Sequence, residues 1–285
     1  MNFHVLVLLF VTLVWGATFP VLKLATAHLS GVEVSALRFL IAALCMAPLA
    51  WRAPRRTWAD GALLGALVLV SYVAQAFGLE FISSNRSAFL TSLNVLMVPL
   101  LGIAFGARPS LLVLGCAVLA CGGIGLMSWE GGADLVADAA TVFGALAYAL
   151  YVIFLSQWSS RHVTRQLAAT QIVWMALLGT LWMVFDAQGT DKLSTLVARV
   201  DGPRLAGLAY LGIVATAGML FLQALAQRHV SANKAALVYA MEPVFAALFS
   251  WLWLAEVLTL QAAVGGALVV FAVVLSDWKG SKQPA

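Results

Sequence analysis

The sequence predicts an all-α polytopic membrane protein, with ten transmembrane helices arranged as two inverted five-helix repeats around a central cavity. Composition is the first ground. Of 285 residues, 63% are hydrophobic and 10% charged, whereas ordinary soluble domains carry about 25% charged residues. Run length is the second. A spanning helix needs roughly 20 mostly apolar residues, and such runs follow one another at 3–25, 33–51, 59–80, 86–106, 110–129, 139–158, 166–185, 204–227, 233–254 and 258–277. They are continuously apolar, without the alternation of a β-barrel.

The third ground is an internal echo. Asn85-Arg86 recurs as Asn233-Lys234, and 233 − 85 = 148. The same offset lays Gln75 on Gln223, Ser83 on Ser231, Ala88 on Ala236 and Asn94 on Glu242. Apolar helices share Leu and Ala by chance, so the polar coincidences carry the weight. They divide the chain into a first repeat at 1–129, an extracytoplasmic connection at 130–138, a second repeat at 139–278 and a cytoplasmic tail at 279–285.

Each run has its place in the charge pattern. Arg52, Arg55 and Arg56 follow the second run, Arg108 the fourth, and Arg161 and Arg165 the sixth. Arg228 and Lys234 flank the connection after the eighth, and Lys279 and Lys282 end the chain. Basic residues favour cytoplasmic loops, so these connections and both termini are expected inside. The acidic Glu130, Asp134 and Asp138, and the mixed segment from Asp186 to Arg204, then fall outside. Five helices per repeat invert the second repeat, consistent with Arg86 outside and Lys234 inside. The first run imitates a signal peptide through Val5–Val14 and Ala25-Thr26-Ala27. It lacks the basic residue expected before the apolar stretch, and is read as a mature helix.

Helical periodicity proposes cavity residues, because residues three, four and seven apart share a face and polar groups in hydrocarbon turn toward the bundle interior. Trp15, Thr18 and Phe19 fall together near Pro20; Ser71, Tyr72 and Gln75 form one strip, and Ser87, Thr91 and Asn94 another, with Pro99 beyond. Later runs offer Tyr148 and Tyr151, Gln171 and Trp174, Gln223, Tyr239 and Glu242. The proposed binding set is Trp15, Tyr72, Gln75, Asn94, Tyr148, Tyr151, Trp174, Gln223 and Tyr239. Aromatics also serve as interfacial belts, and amides as interhelical links contributing about 1 kcal/mol. Pro20, Pro99 and Pro243 read either as harmless kinks or as gating hinges. The spacings Gly61-xxx-Gly65, Gly102-xxx-Gly106 and Ala262-xxx-Gly266 allow close helix approach.

Two charges stand out, since an ionised group near mid-helix costs roughly 2.5–3.5 kcal/mol. Arg38 lies a few residues into its run and is long enough to snorkel outward. Glu242 is ten positions into its run and too short for that. It reads either as a protonated structural acid bonded to the carbonyl freed by Pro243 or as a group that exchanges a proton during turnover.

Trp15-Gly16-Ala17-Thr18-Phe19-Pro20, Arg38-Phe39, Met241-Glu242-Pro243-Val244 and Ala255-Glu256 resemble the drug/metabolite transporter superfamily, and within it the ten-helix EamA-type exporters. The resemblance spans essentially the whole chain. Arg108 departs from it, standing where the second repeat has Glu256. The resemblance implies a helical basket in a bacterial inner membrane that exports amino acids or related metabolites, closest to the branch for aromatic and other neutral amino acids. Duplication independently favours a transporter, since secondary transporters are commonly built from inverted repeats with the site between them.

Other functions fit less well. There is no H-E-x-x-H, G-x-S-x-G or P-loop, and His4, His28, His162 and His229 sit near predicted membrane ends, so an intramembrane enzyme lacks its constellation. A receptor needs no duplicated inverted cavity. Sugar phosphates would require several converging cations, leaving multidrug or organic cation efflux as the close alternative. No cofactor or metal site is expected, the three cysteines having no ligand spacing. The expected partners are a small-molecule substrate and membrane lipid, without nucleic acid, in a monomer or weak dimer. Single cysteines at Gly132 and Ser160 should be labelled from opposite sides of the membrane; labelling from one side would reject this topology.

Overall fold

The computed structural model describes residues 2–128, 134–186, 200–254 and 259–280. Glu130, Ala255, Glu256 and Lys282 lie outside the described residues. The first half holds α1 (Phe3–Thr26), α2 (Gly31–Ala50), α3 (Arg55–Phe81), α4 (Ser84–Ser92), α5 (Asn94–Ala104) and α6 (Leu111–Ser128). The second holds α7 (Leu135–Trp158), α8 (Thr164–Asp186), α9 (Gly202–Ala209), a π-helical stretch (Tyr210–Gly218), α10 (Met219–Gln227), α11 (Ala232–Tyr239), α12 (Glu242–Leu254) and α13 (Leu260–Gly280). No strand occurs among the described residues. Among the described residues, eight helical stretches are long and apolar enough to cross a membrane by length and composition, while Leu111–Leu126 and Leu260–Ser276 are shorter apolar helices.

Several helices begin before the apolar runs that announce them, because capping chemistry lies outside the hydrocarbon pattern. Ser30 and Glu33 form a reciprocal capping box that starts α2 at Gly31. The Asp134 side chain accepts from the amides of Val136 and Ala137 and starts α7 inside the predicted 130–138 connection. Each cap satisfies amides that the first helical turn leaves without partners. The short link after α5 has the same logic at a C-terminus. Gly106 adopts φ +83°, and the amides of Gly106 and Ala107 close onto Ile103 O and Gly102 O at 3.1 and 2.8 Å, the double closure that a glycine in the left-handed region permits.

Two predicted single helices are broken. The fourth run divides at Leu93 and the ninth at Ala240-Met241. Leu93 and Met241 are themselves one repeat apart, 241 less 93 being 148. The prolines do not share that relation: Pro99 lies inside α5, and Pro243 is the second residue of α12, where the missing N–H is one that a first turn leaves unpaired anyway. The two breaks therefore share the 148-residue offset rather than a common proline. Pro20 sits within the continuous α1.

The helices pair so that exchanging the two halves preserves the arrangement. α2 packs on α8 and α6 on α13, across the division between halves. α3 packs on α7 and α8, as α10 and the π stretch pack on α1 and α2. α4 and α5 meet α7, and α11 and α12 meet α1. Large apolar side chains cover the outside, with Leu44 79% exposed, as expected where the surrounding solvent is hydrocarbon.

Several close approaches need glycine, and two of them bring together helices that carry cavity residues. A Cβ on Gly16 would stand 2.5 Å from Phe245 Cβ, and one on Gly212 2.7 Å from Ile41 Cβ and 2.8 Å from Arg38 O. These positions bring α1 against α12 and the π stretch against α2. Gly115 on α6, by contrast, would place an added methyl with nothing within 4 Å of it. Gly16→Ala should cost about 1–3 kcal/mol through overpacking and lower the melting temperature of detergent-solubilised protein, while Gly115→Ala leaves it unchanged or raised; equal melting temperatures for the two variants would contradict the packing.

Candidate functional site

Trp15 and Thr18 from α1, Arg38 from α2, Ser71, Tyr72 and Gln75 from α3, Thr91 from α4, Tyr148 from α7 and Glu242 from α12 line one internal cavity. The space is narrow, about 20 Å³ for the centre of a water-sized occupant, which is room for roughly one water. A larger hollow of about 740 Å³ lies between α2 and α8, but its lining is aliphatic apart from Trp51 and Thr180. Size favours the second and chemistry the first. A ligand site needs a few convergent polar groups to fix orientation, and only the narrow cavity of these two has ionisable side chains.

Arg38 does not snorkel. It is 3% exposed, its Nε donates to Thr216 Oγ1 at 3.0 Å, and its guanidinium carbon lies 4.8 Å from the centre of the Tyr72 ring. Gly212 explains the difference from the sequence expectation: it lets the π stretch come close enough to α2 for Thr216 to hold the guanidinium inside. The Thr216 hydroxyl in turn donates to Leu211 O at 2.7 Å. The neighbouring carbonyl of Ala215 accepts from Trp15 Nε1 at 2.9 Å. One turn of irregular helix thus orients two cavity residues, a recurrent use of π segments.

Glu242 is 9% exposed. Among the described residues its carboxylate has no hydrogen bond or ion-pair partner, so the structural alternative, a bond to a carbonyl freed by Pro243, is not made. Its counterpart in the first half behaves differently: Asn94 donates Nδ2 to Thr91 O at 2.8 Å and serves the break between α4 and α5. The aligned acid begins α12 and contributes to the cavity instead.

Of the proposed binding residues, Trp15, Tyr72, Gln75 and Tyr148 line the cavity. Gln75 Nε2 lies 3.4 Å from Thr91 Oγ1, bridging α3 and α4. Asn94, Tyr151, Gln223 and Tyr239 stand in the wall behind it, and Trp174 lies away from it toward the start of α3. Gln223 accepts from Tyr151 Oη at 3.2 Å and donates to Tyr148 Oη at 3.0 Å and Gln227 Oε1 at 2.9 Å. Gln227 also accepts from Tyr239 Oη at 3.2 Å and donates to Val152 O at 3.2 Å. This network ties α7, α10 and α11 together. Trp174 donates to Trp58 O at 3.1 Å between α8 and α3. The sequence marked these side chains as polar and inward but did not distinguish a wall from a cavity.

Polar ligaments tie the helices together near both ends. Toward the end holding the α3 C-terminus, Lys23 donates to Leu79 O and Ile82 O, and Arg86 forms a paired contact with Asp138 at 2.7 and 2.6 Å. At the other end, His162 Nε2 meets Asp60 Oδ2 at 2.6 Å and its Nδ1 meets Thr57 Oγ1 at 3.0 Å. His162 belongs to the α7–α8 turn and is 8% exposed; the tight turn buries a residue that sequence placed only near a membrane end.

An all-helical bundle with apolar faces outside and a polar cavity inside defines a multi-pass integral membrane protein. Residues 2–129 and 135–276 match the EamA-like transporter family, and the chain belongs to that family. An uncharacterized transporter of Archaeoglobus fulgidus is 28% identical over 272 residues, covering 93% of this chain and 82% of its own. The uncharacterized transporter YoaV of Bacillus subtilis is 20% identical over 286 residues, covering 96% of each. A protein crystal structure aligns with 99% of this chain and 100% of its own, at a TM-score of 0.77 and 16% identity, which shows a shared fold. These names indicate a transporter rather than an enzyme.

Wall and cavity residues should respond differently to loss of a hydroxyl. Tyr151→Phe leaves a buried Gln223 oxygen without its tyrosine donor, a loss of about 1–3 kcal/mol, and is expected to lower thermal stability while retaining substrate preference. Tyr72→Phe should shift preference with a smaller stability change. Thermal melting paired with a competition series would reveal a reversal of these effects, which would reject the division.

Proposed function

We propose that this transporter exports neutral, including aromatic, amino acids by alternating access. The carrying observation is that a cation, an acid and several aromatic rings meet in one cavity between the two halves. Trp15, Tyr72 and Tyr148 offer apolar faces for a side chain, and Arg38 and Glu242 offer opposite charges for the polar end of a small molecule. A sugar phosphate is less suitable, because the one guanidinium shares its cavity with a carboxylate rather than with further cations.

The volume supports movement. Pockets for small ligands commonly enclose about 300–1,000 Å³, far more than the narrow space among these side chains, so the walls must separate for an amino acid to enter. Ligaments at both ends and the aligned breaks at Leu93 and Met241 provide places where opposite ends could open in turn. Half-exchange of the helix pairings and the two family-matched stretches support an inverted duplication with its substrate site between repeats. Under the charge-derived topology both termini are cytoplasmic, in a bacterial plasma membrane.

Organic cation efflux is the second reading, favoured by Glu242 beside aromatic faces and opposed by Arg38 in the same cavity. Proteoliposome counterflow separates the two. Internal neutral amino acids should accelerate uptake of a labelled neutral amino acid at least about tenfold over empty vesicles, a factor corresponding to about 1.4 kcal/mol in effective barrier, and organic cations or sugar phosphates should not. Acceleration by organic cations alone would replace the amino acid reading; adding a pH gradient shows whether proton movement is coupled to exchange.

A further inference from the structure

We propose that Arg38 and Glu242 form a zwitterion clamp, in which the guanidinium receives the substrate's carboxylate and the Glu242 carboxylate receives its ammonium. The inference rests on the amino acid exporter reading and assigns the charged end of that substrate to two residues. Both side chains line the same cavity and both are more than nine-tenths buried. Arg38 uses Nε on Thr216, and neither terminal guanidinium nitrogen has a hydrogen-bond or ion-pair partner among the described residues. Glu242 likewise has none for its carboxylate. The two do not satisfy one another, since no ion pair within 4.0 Å joins them.

Charge balance selects the occupant. A cation would pair with Glu242 and leave the guanidinium without a counter-ion, whereas an anion would do the reverse. A zwitterion supplies both partners while adding no net charge to a site screened from bulk water. Guanidinium and carboxylate have matching planar hydrogen-bonding geometry, and Tyr72 beneath Arg38 limits the directions the guanidinium can take. Thr216 anchors the same group from the other half of the chain. Trp15 and Tyr148 remain available to flank an apolar substituent, their ring centres being 6.1 Å apart and nearly perpendicular. No covalent step is involved; recognition consists of two charge-assisted hydrogen-bonded contacts made at one time.

The test uses full-length protein in proteoliposomes and labelled phenylalanine counterflow. Competitors are unlabelled phenylalanine, its methyl ester, phenethylamine and 3-phenylpropionate, so that carboxylate and ammonium are removed separately. In the native protein each one-charge analogue should compete at least about tenfold less well than phenylalanine, because a site built around two polar groups rejects a ligand lacking either. Arg38→Gln should bring the ester and phenethylamine within about twofold of phenylalanine, and Glu242→Gln should do so for 3-phenylpropionate, each with overall affinity reduced. Arg38→Lys and Glu242→Asp should retain preference for the zwitterion.

Native protein that carries phenylalanine but accepts the ester or 3-phenylpropionate equally well overturns the clamp and leaves the exporter reading standing. Unchanged competitor rankings in folded Gln variants do the same. Absence of phenylalanine exchange in the native protein overturns both. The native analogue series decides the matter even where a variant fails to fold.

Discussion

A guanidinium placed within a membrane-spanning bundle must be enclosed by protein, and much of the cavity's architecture follows from how Arg38 is enclosed. Leaving a charge in hydrocarbon is expensive, while burying it inside protein requires partners. Thr216 supplies a hydroxyl and Tyr72 supplies the face of a ring. For Thr216 to reach α2, the two backbones must approach to a distance that tolerates no Cβ at Gly212. The irregular π stretch positions both the hydroxyl and the Ala215 carbonyl that holds Trp15. Removing any one of these features alters where the positive end of the cavity can lie.

The two halves use aligned positions for different chemistry. Each has a broken helix at the same repeat position, but the polar residue after the break is Asn94 in one and Glu242 in the other. Asn94 is occupied by the backbone of α4, whereas Glu242 contributes its carboxylate to the cavity. The matching pairings of the two halves give a pseudosymmetric frame, and unlike residues at aligned positions within it make a cavity with unlike ends. A site needing opposite charges benefits from that asymmetry, because strict symmetry would place like groups opposite each other.

The polar wall has a different role from the cavity it encloses. Gln223 and Gln227 connect four tyrosine or backbone partners across α7, α10 and α11, and satisfied networks of this kind rigidify a low-dielectric interior. The ligaments around Arg86–Asp138 and Asp60–His162 lie nearer the helix ends. A rigid inner wall with its ligaments nearer the helix ends suits the widening that the proposed transport cycle calls for. The narrow space among Trp15, Tyr72 and Glu242 is the mechanical reason that conformational change belongs in the functional account.

The amino-acid order alone determined the membrane setting, the all-helical class and the inward polar strips, because apolar run length and helical periodicity are local properties. It also identified Trp15, Tyr72, Gln75, Tyr148 and Glu242 as candidates that meet in the cavity. Periodicity finds the side of a helix facing protein, but it does not measure depth behind that face, so Gln223, Tyr151 and Tyr239 looked equivalent to the cavity residues. Nor did it locate the interruptions at Leu93 and Met241, which lie within otherwise continuous apolar runs. Tertiary structure decided those distinctions through close helix contacts and hydrogen bonds between distant residues. Arg38 is the clearest case: its length permits snorkelling, but its fate was set by Gly212 and Thr216 more than 170 positions later in the chain, where close packing made the interior accessible to a charge.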